Sequence, residues 1–126
     1  MWEIELLPEF VEWWRELPEE TQQAISHDMR LLAMRGPMLG RPLVDTIHGS
    51  RFPNMKELRT MHLGRQFRTF FAFDPRRRAI VLIGGDKTGD ARFYDRMIVR
   101  ADALFAEHLY RLAQGRDGSN DERNQP

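Results

Sequence analysis

An α+β domain is the fold that this chain predicts, and three observations carry it. Strict apolar–polar alternation marks a strand at the amino terminus, and two proline-started amphipathic segments follow it. Three strand-like runs separated by short turns then lead into one long amphipathic segment near the carboxy terminus. The expected order is β-α-α-β-β-β-α, with the later strands forming an antiparallel sheet packed against helices.

Trp2, Ile4 and Leu6 alternate with Glu3 and Glu5, the pattern of a half-buried strand ending at Leu7. Pro8 suits the first turn of a helix, and Phe10, Trp13, Trp14 and Leu17 fall at i, i+3, i+4 and i+7. Pro18 restarts a second helix with Glu19 and Glu20 in its first turn, where the dipole favours acids. Ala24, Ile25, Met29 and Leu32 form its buried stripe, and Gly36-Pro37 ends it. The two helices should pair as an αα-hairpin.

Residues 37–54 hold Pro37, Pro42 and Pro53 and read as a loop with little regular structure. A connection this long in a small domain points to function or a partner contact. Met55–Leu63 is strand-like, and Gly64 turns it into Gln66–Asp74. There Phe67, Phe71 and Phe73 line one face, and Gln66, Arg68 and Phe70 the other. Asp74-Pro75 turns again into Ala79–Ile83, apolar on both faces as a covered central strand would be. Asp90 is placed to cap the last helix, whose stripe is Tyr94, Met97, Ile98, Ala101, Leu104, Phe105 and Leu112. The domain therefore spans residues 1–114, and the polar run 115–126 is expected to be disordered.

The chain has 126 residues, enough for one domain with a real core. It has no cysteine, which excludes disulfides and thiolate metal sites and suits a reducing compartment. No apolar stretch is long enough to span a bilayer, and acids stand where a secretory signal would carry bases, so a cytoplasmic protein without membrane contact is expected. The net charge of zero conceals a segregation. Residues 1–35 hold eight acids and three bases, residues 36–100 thirteen bases and six acids, and residues 101–126 five acids and three bases. A basic centre between acidic flanks implies a polyanionic partner for one face only.

That centre contains Lys56-Glu57-Leu58-Arg59, Arg65-Gln66-Phe67-Arg68 and the loop Gly84-Gly85-Asp86-Lys87-Thr88-Gly89. Cations on adjacent strands, interleaved with aromatics, suit a surface that grips a phosphodiester backbone. Arginine fits this work because its planar fork reaches two oxygens of one phosphate. Arginines bonded to Glu57 or Asp74 at the surface are the plainer alternative. Two glycines before Lys87 let the backbone turn sharply and approach a ligand closely. A P-loop is excluded, because Val81 stands where its spacing requires glycine. Tyr94 and Phe70 are candidates to stack on bases or simply to pack in the core. His62 is a candidate base and His48 lies near the basic region, while His27 and His108 should sit on helix faces. Arg76-Arg77-Arg78 reads as a solvated hairpin tip.

The ordered set of motifs resembles the RelE/ParE superfamily of toxins from type II toxin–antitoxin systems, and within it the HigB (phage Gp49-like) branch. The resemblance rests on Lys56-Glu57-Leu58-Arg59, Arg65 to Phe73, Gly84 to Thr88, the final helix with Ala101, and Gly40-Arg41-Pro42-Leu43-Val44 upstream. It covers roughly residues 2–110. It implies a RelE-like fold and a small endoribonuclease, an mRNA interferase, that cleaves messenger RNA on the ribosome and inhibits translation. The implied partners are a helix-turn-helix antitoxin, mRNA and the ribosome, with operator DNA reached only through the antitoxin. Carried onto this chain, the resemblance points to Arg59, Arg68 and Lys87 as catalytic, with Lys56, Arg65, Phe70, Tyr94 and His62 around the substrate. The chain departs from the pattern at Asp86, where many relatives carry a second lysine. Asp86 then either weakens catalysis or serves as a base.

RNA cleavage of this kind needs the 2′-hydroxyl deprotonated, the phosphate stabilised and the 5′-oxygen protonated. No metal or other cofactor is expected, because arginine and lysine can supply the positive charge and no ligand cluster is visible. Two further readings remain open. One is a ParE-like toxin that poisons DNA gyrase without cutting RNA. The other is a catalytically weakened phage-type protein that only binds its antitoxin.

Overall fold

The structure, a computed structural model, describes residues 1–115. Its strands are β1 (Ile4–Leu6), β2 (Val44–Thr46), β3 (Lys56–His62), β4 (Arg65–Phe73) and β5 (Ala79–Asp86). Its helices are α1 (Pro8–Arg15), α2 (Glu19–Arg35) and α3 (Phe93–Ala113). The strands form one sheet in the order β1-β5-β4-β3-β2. The α+β class and the antiparallel run β3–β4–β5 match the sequence expectation. The tail expected to be disordered lies, beyond Gly115, outside the described residues.

Two features of the sheet differ from that expectation. β1 pairs with β5 in parallel, Ile4 opposite Ala79 and Leu6 opposite Val81, so the sheet is mixed. The reason is backbone satisfaction, because β4 occupies only one edge of the buried β5 and β1 bonds the other. The second difference is β2, inside the segment read as loop. Three residues are too few to show a period, and flanking glycine and proline hide them. Pairing to β3 nevertheless sets Val44 opposite Leu58 and Asp45 opposite Glu57.

Helices cover both faces of the sheet. On one side α1 and α2 bring Phe10, Ile25 and Leu32 against Leu58, Phe67, Phe71 and Val81. On the other, α3 brings Phe93, Met97, Ala101 and Phe105 against Phe70, Ile80 and Leu82. The alternation read along β4 is thus correct. In β5 it is broken by a register shift opposite Phe70 and Phe71, where Ile83 and Val81 are the successive partners. Leu82 is the extra residue, and Leu82 and Ile83 both join the α3 core, as at a bulge.

The turn between β3 and β4 fixes the register that matters for the site. Leu63 and Gly64 both have positive φ, 51° and 78°, the conformation of a tight two-residue hairpin turn. That turn sets His62 opposite Arg65 and, three steps along, Arg59 opposite Arg68.

Burial corrects several details. Leu6 is exposed at 47%, and Leu7 is the buried residue in its place. α3 buries Phe93, Asp102 and His108 besides Met97, Ala101 and Phe105 of the expected stripe, whose Tyr94, Ile98, Leu104 and Leu112 are only partly buried. His108 does not sit on an outer face, because its Nε2 lies 2.9 Å from the buried Asp74 carboxylate. Asp102 accepts from Ser50 Oγ (2.5 Å) and from the Arg51 N–H (3.0 Å), tying the long loop to α3. Asp90 precedes α3 rather than capping it directly, accepting from the Arg92 N–H (3.1 Å) and Arg96 (2.6 Å).

Candidate functional site

β3 and β4 build the base of the site. Arg59 and Arg68 are directly opposed on the α3 face of the sheet, two like charges at a position where such pairs destabilise. Glu57, two residues before Arg59, projects from the same face. Its Oε2 accepts from Arg59 at 3.2 Å, and its Oε1 lies 3.4 Å from Arg68 Nε. The Glu57 side chain is only 4% exposed, so this is a buried carboxylate between two guanidinium groups. Asp45, supplied by β2, accepts from Arg59 Nη2 at 3.2 Å. Hydrogen bonds from Arg41 and from the Thr46 backbone hold the Asp45 carboxyl below its ordinary range.

The first turn of α3 and the segment before it supply the opposite wall. The Tyr94 hydroxyl donates to Glu57 Oε1 at 2.7 Å and accepts from Arg68 Nε at 3.3 Å. Burial raises the Tyr94 phenol above its ordinary value, and the neighbouring Glu57 carboxylate adds to the rise against the opposing Arg68. Lys87 follows β5 and places its ammonium 5.6 Å from the centre of the Tyr94 ring. The ammonium makes no hydrogen bond or ion pair among the described residues, while the Lys87 backbone N–H donates to the Gln66 carbonyl.

Glycine plays a different part here from the one expected. Gly84 and Gly85 lie within β5 and are not turn residues. A Cβ on Gly84 would stand 2.3 Å from the Trp13 ring, and one on Gly85 2.8 Å from the Phe93 ring. They are needed so that α1 and the start of α3 can approach the sheet closely. Asp86 is likewise occupied. It accepts from Arg65 Nε at 2.5 Å and from the Thr88 N–H at 2.9 Å, while Thr88 Oγ1 accepts from the Gln66 N–H at 2.7 Å. Burial opposes ionisation of Asp86, but the bonds from Thr88 and Arg65 outweigh it and hold the carboxyl below its ordinary range. Asp86 is a staple for the lysine loop and lines no part of the cavity described next.

These walls enclose a cavity of about 450 Å³ lined by Asp45, Thr46, Ile47, His48, Glu57, Arg59, Lys87, Tyr94 and Ile98. The volume is of the order that holds one nucleotide-sized group. Arg59 uses Nε and Nη2 on carboxylates, and its Nη1 carries no hydrogen bond among the described residues. Two cationic donors, Arg59 Nη1 and Lys87 Nζ, therefore remain unsatisfied beside one aromatic face.

The structure brings together Arg59, Lys87 and Tyr94 at the cavity and sets Arg68 directly behind them. Arg68 is 6% exposed, with Nε on Tyr94, Nη1 on the Phe67 carbonyl and Nη2 on Gln66. Four other candidates lie elsewhere. Phe70 is fully buried in the α3 core and offers no stacking surface. Lys56 and His62 alternate with Glu57 and Arg59 along β3 and so leave the sheet on the α2 face, beside Leu58. Arg65, opposite His62, is tied to Asp86. Asp45 is the site residue that the sequence reading does not single out, because it lies in the segment read as loop; Glu57 enters that reading only as an ion-pair partner of the arginines, which it is, and His48 only as a histidine near the basic region.

Among the described residues no group of three or more His, Asp or Glu could hold a metal ion, and no helix is long and apolar enough to cross a membrane. The family described as phage derived protein Gp49-like (DUF891) matches residues 12–106, which contain every cavity residue. The chain is 48% identical over 99 residues to a Mycobacterium tuberculosis protein named "Putative toxin HigB2", covering 77% of this chain and 49% of that protein. It is 47% identical over 98 residues to a second protein of that organism, "Putative toxin HigB3", covering 77% of this chain and 84% of that protein. The chain thus spans about half the length of the first relative. The resemblance to the HigB, Gp49-like branch read from the motifs is borne out by these matches.

Proposed function

The chain belongs to the Gp49-like family of phage-derived proteins, and from that premise we propose that it is the toxin of a toxin–antitoxin pair and cleaves messenger RNA on the ribosome. The observation that carries the nuclease reading is that Arg59 and Lys87 line one cavity with Tyr94, and that Arg59 Nη1 and Lys87 Nζ make no hydrogen bond among the described residues. A phosphodiester supplies the two anionic oxygens that such donors lack, and an RNA base supplies a π-face for Tyr94. The partner that silences the toxin is a helix-turn-helix antitoxin, and operator DNA is contacted only through it.

In this reading the RNA 2′-oxygen attacks the adjacent phosphorus after losing its proton, and the 5′-oxygen leaves with a proton taken from an acid. Arg59 and Lys87 hold the non-bridging oxygens and stabilise the charge that grows on them. Arg68 adds its positive charge from behind, through the Glu57–Tyr94 pair, without touching the phosphate. His48 at the cavity is the residue type suited to moving a proton. Side chains supply the positive charge, so no metal is assigned a role.

The test is to induce the chain without an antitoxin and map RNA ends on translated messages, with Arg59→Ala and Lys87→Ala beside the wild type. Growth arrest with new ends inside reading frames, lost in both variants, is expected. Arrest with intact messages would remove the nuclease reading, and DNA breaks in their place would favour gyrase poisoning. Absence of both toxicity and cleavage would leave a protein that only binds its antitoxin.

A further inference from the structure

Among the groups at the cavity, Glu57 is the one whose presence is least expected in a phosphate site. A carboxylate repels the substrate, and burying one without strong partners is costly. Its placement nevertheless follows from the register. Arg59 and Arg68 face each other across β3 and β4, and Glu57 is diagonal to Arg68 on the same face. Each carboxylate oxygen takes a different load. Oε2 holds the Nε and Nη2 side of Arg59, which leaves Nη1 as the edge turned to no protein acceptor. Oε1 holds the Tyr94 hydroxyl and approaches Arg68 Nε. Glu57, with Asp45 also accepting from Nη2, thus leaves Nη1 as the open edge of Arg59, and the same carboxylate holds the Tyr94 hydroxyl, with Lys87 over that ring.

We propose that Glu57 is a positioning residue for strand cleavage: its buried carboxylate orients the open edge of Arg59 and fixes the Tyr94 hydroxyl, so that the Arg59–Lys87 pair meets the phosphate in one geometry. This inference rests on the nuclease reading above. It assigns Glu57 no proton transfer, because both of its oxygens are occupied by Arg59 and Tyr94. It also gives Tyr94 a specific state: the phenol proton points to Glu57, and the ring rather than the hydroxyl faces the substrate. Removing the charge of Glu57 therefore loosens the Nε side of Arg59, whose Nη2 stays on Asp45, and weakens the hold on the Tyr94 hydroxyl, while the net positive charge of the cavity rises.

Two measurements test it, one without RNA. The chain has only two tyrosines, so Tyr110→Phe leaves Tyr94 as the single phenol to follow. In that background the Tyr94 phenol should ionise above the ordinary tyrosine value. With Glu57→Gln added, whose amide oxygen can still accept the hydroxyl, it should move back toward that value. An ordinary value with Glu57 in place, or an unmoved Tyr94 in the variant, would overturn the hold on Tyr94. The arm with Glu57 in place keeps the test valid if the variant fails to fold. In the second measurement, folded Glu57→Gln should cleave a translated message about 100-fold more slowly while binding RNA at least as tightly as the wild type. Equal cleavage by the two proteins would overturn the positioning role. A wild type that cuts no RNA would instead remove the nuclease reading, leaving the titration to judge the Glu57–Tyr94 contact.

Discussion

The Tyr94 hydroxyl donates to Glu57 across 2.7 Å, joining the first turn of α3 to the middle of the sheet at the edge of the cavity. This contact couples packing to the site, since anything that shifts the start of α3 moves the aromatic face beneath Lys87. Tyr94→Phe keeps the ring and removes the bond. A hydrogen bond to a charged acceptor contributes about 1.5–3 kcal/mol, so urea unfolding should show a loss near the lower figure because the site is partly open. Cleavage should fall as well, with the Lys87 loop still folded.

Lys87→Ala should behave oppositely. The ammonium makes no ion pair or hydrogen bond among the described residues, so the midpoint of urea unfolding should stay within about 0.5 kcal/mol of the wild type. The cleavage rate should drop on the order of 100-fold, the usual effect of removing one group that stabilises transition-state charge. The salt dependence of RNA binding should become shallower by about one counterion.

Gly85→Ala tests the close approach of α3. The new methyl would stand 2.8 Å from Phe93 Cε1 and 3.2 Å from Met97 Cε, both in the core. Overpacking of this kind costs about 1–3 kcal/mol. Because Phe93 adjoins Tyr94, activity should fall together with the thermal midpoint, unlike the Lys87 variant.

Acid sensitivity should come in part from Asp74. Burial opposes its ionisation, but bonds from His108, Arg76 and the Arg78 backbone outweigh this and hold its carboxyl below the ordinary 3.8. A depressed carboxyl contributes stability that is complete above the unfolded value and is lost as pH falls through the folded one. Stability should therefore decline from about pH 4 downward. Asp74→Asn should flatten that decline and cost about 3 kcal/mol at neutral pH, since it removes the buried carboxylate that His108 Nε2 meets and that Arg76 engages besides Glu5.

The sequence exposed the fold through its periods. Alternation in β4 assigned Phe67, Phe71 and Phe73 to one face and Arg68 to the other, and the short turn at Gly64 put Arg59 and Arg68 on adjacent strands. Asp45 stayed hidden because a three-residue strand has no measurable period and owes its existence to the free edge of β3. The burial of His108 and Asp102 depends on Asp74 and Ser50, which are distant in the chain, so a helical period alone does not reveal it. Lys56, His62 and Phe70 enter the candidate set because composition gathers cations and aromatics in one stretch, whereas a strand sends neighbouring residues to opposite faces. Gly84 and Gly85 show a similar limit. Their need for space is set by Trp13 and Phe93, which only the folded packing brings near.

The central claim is that Arg59 and Lys87 of this chain stabilise attack by the RNA 2′-hydroxyl on its own phosphate. The most direct measurement is the end chemistry of a defined message cut by the purified protein in a reconstituted translation reaction. The account predicts 5′-hydroxyl and 2′,3′-cyclic phosphate ends, formed on the order of 100-fold more slowly by Lys87→Ala. Ends bearing a 5′-phosphate, or equal rates from the wild type and an Arg59→Ala/Lys87→Ala double variant, would contradict it.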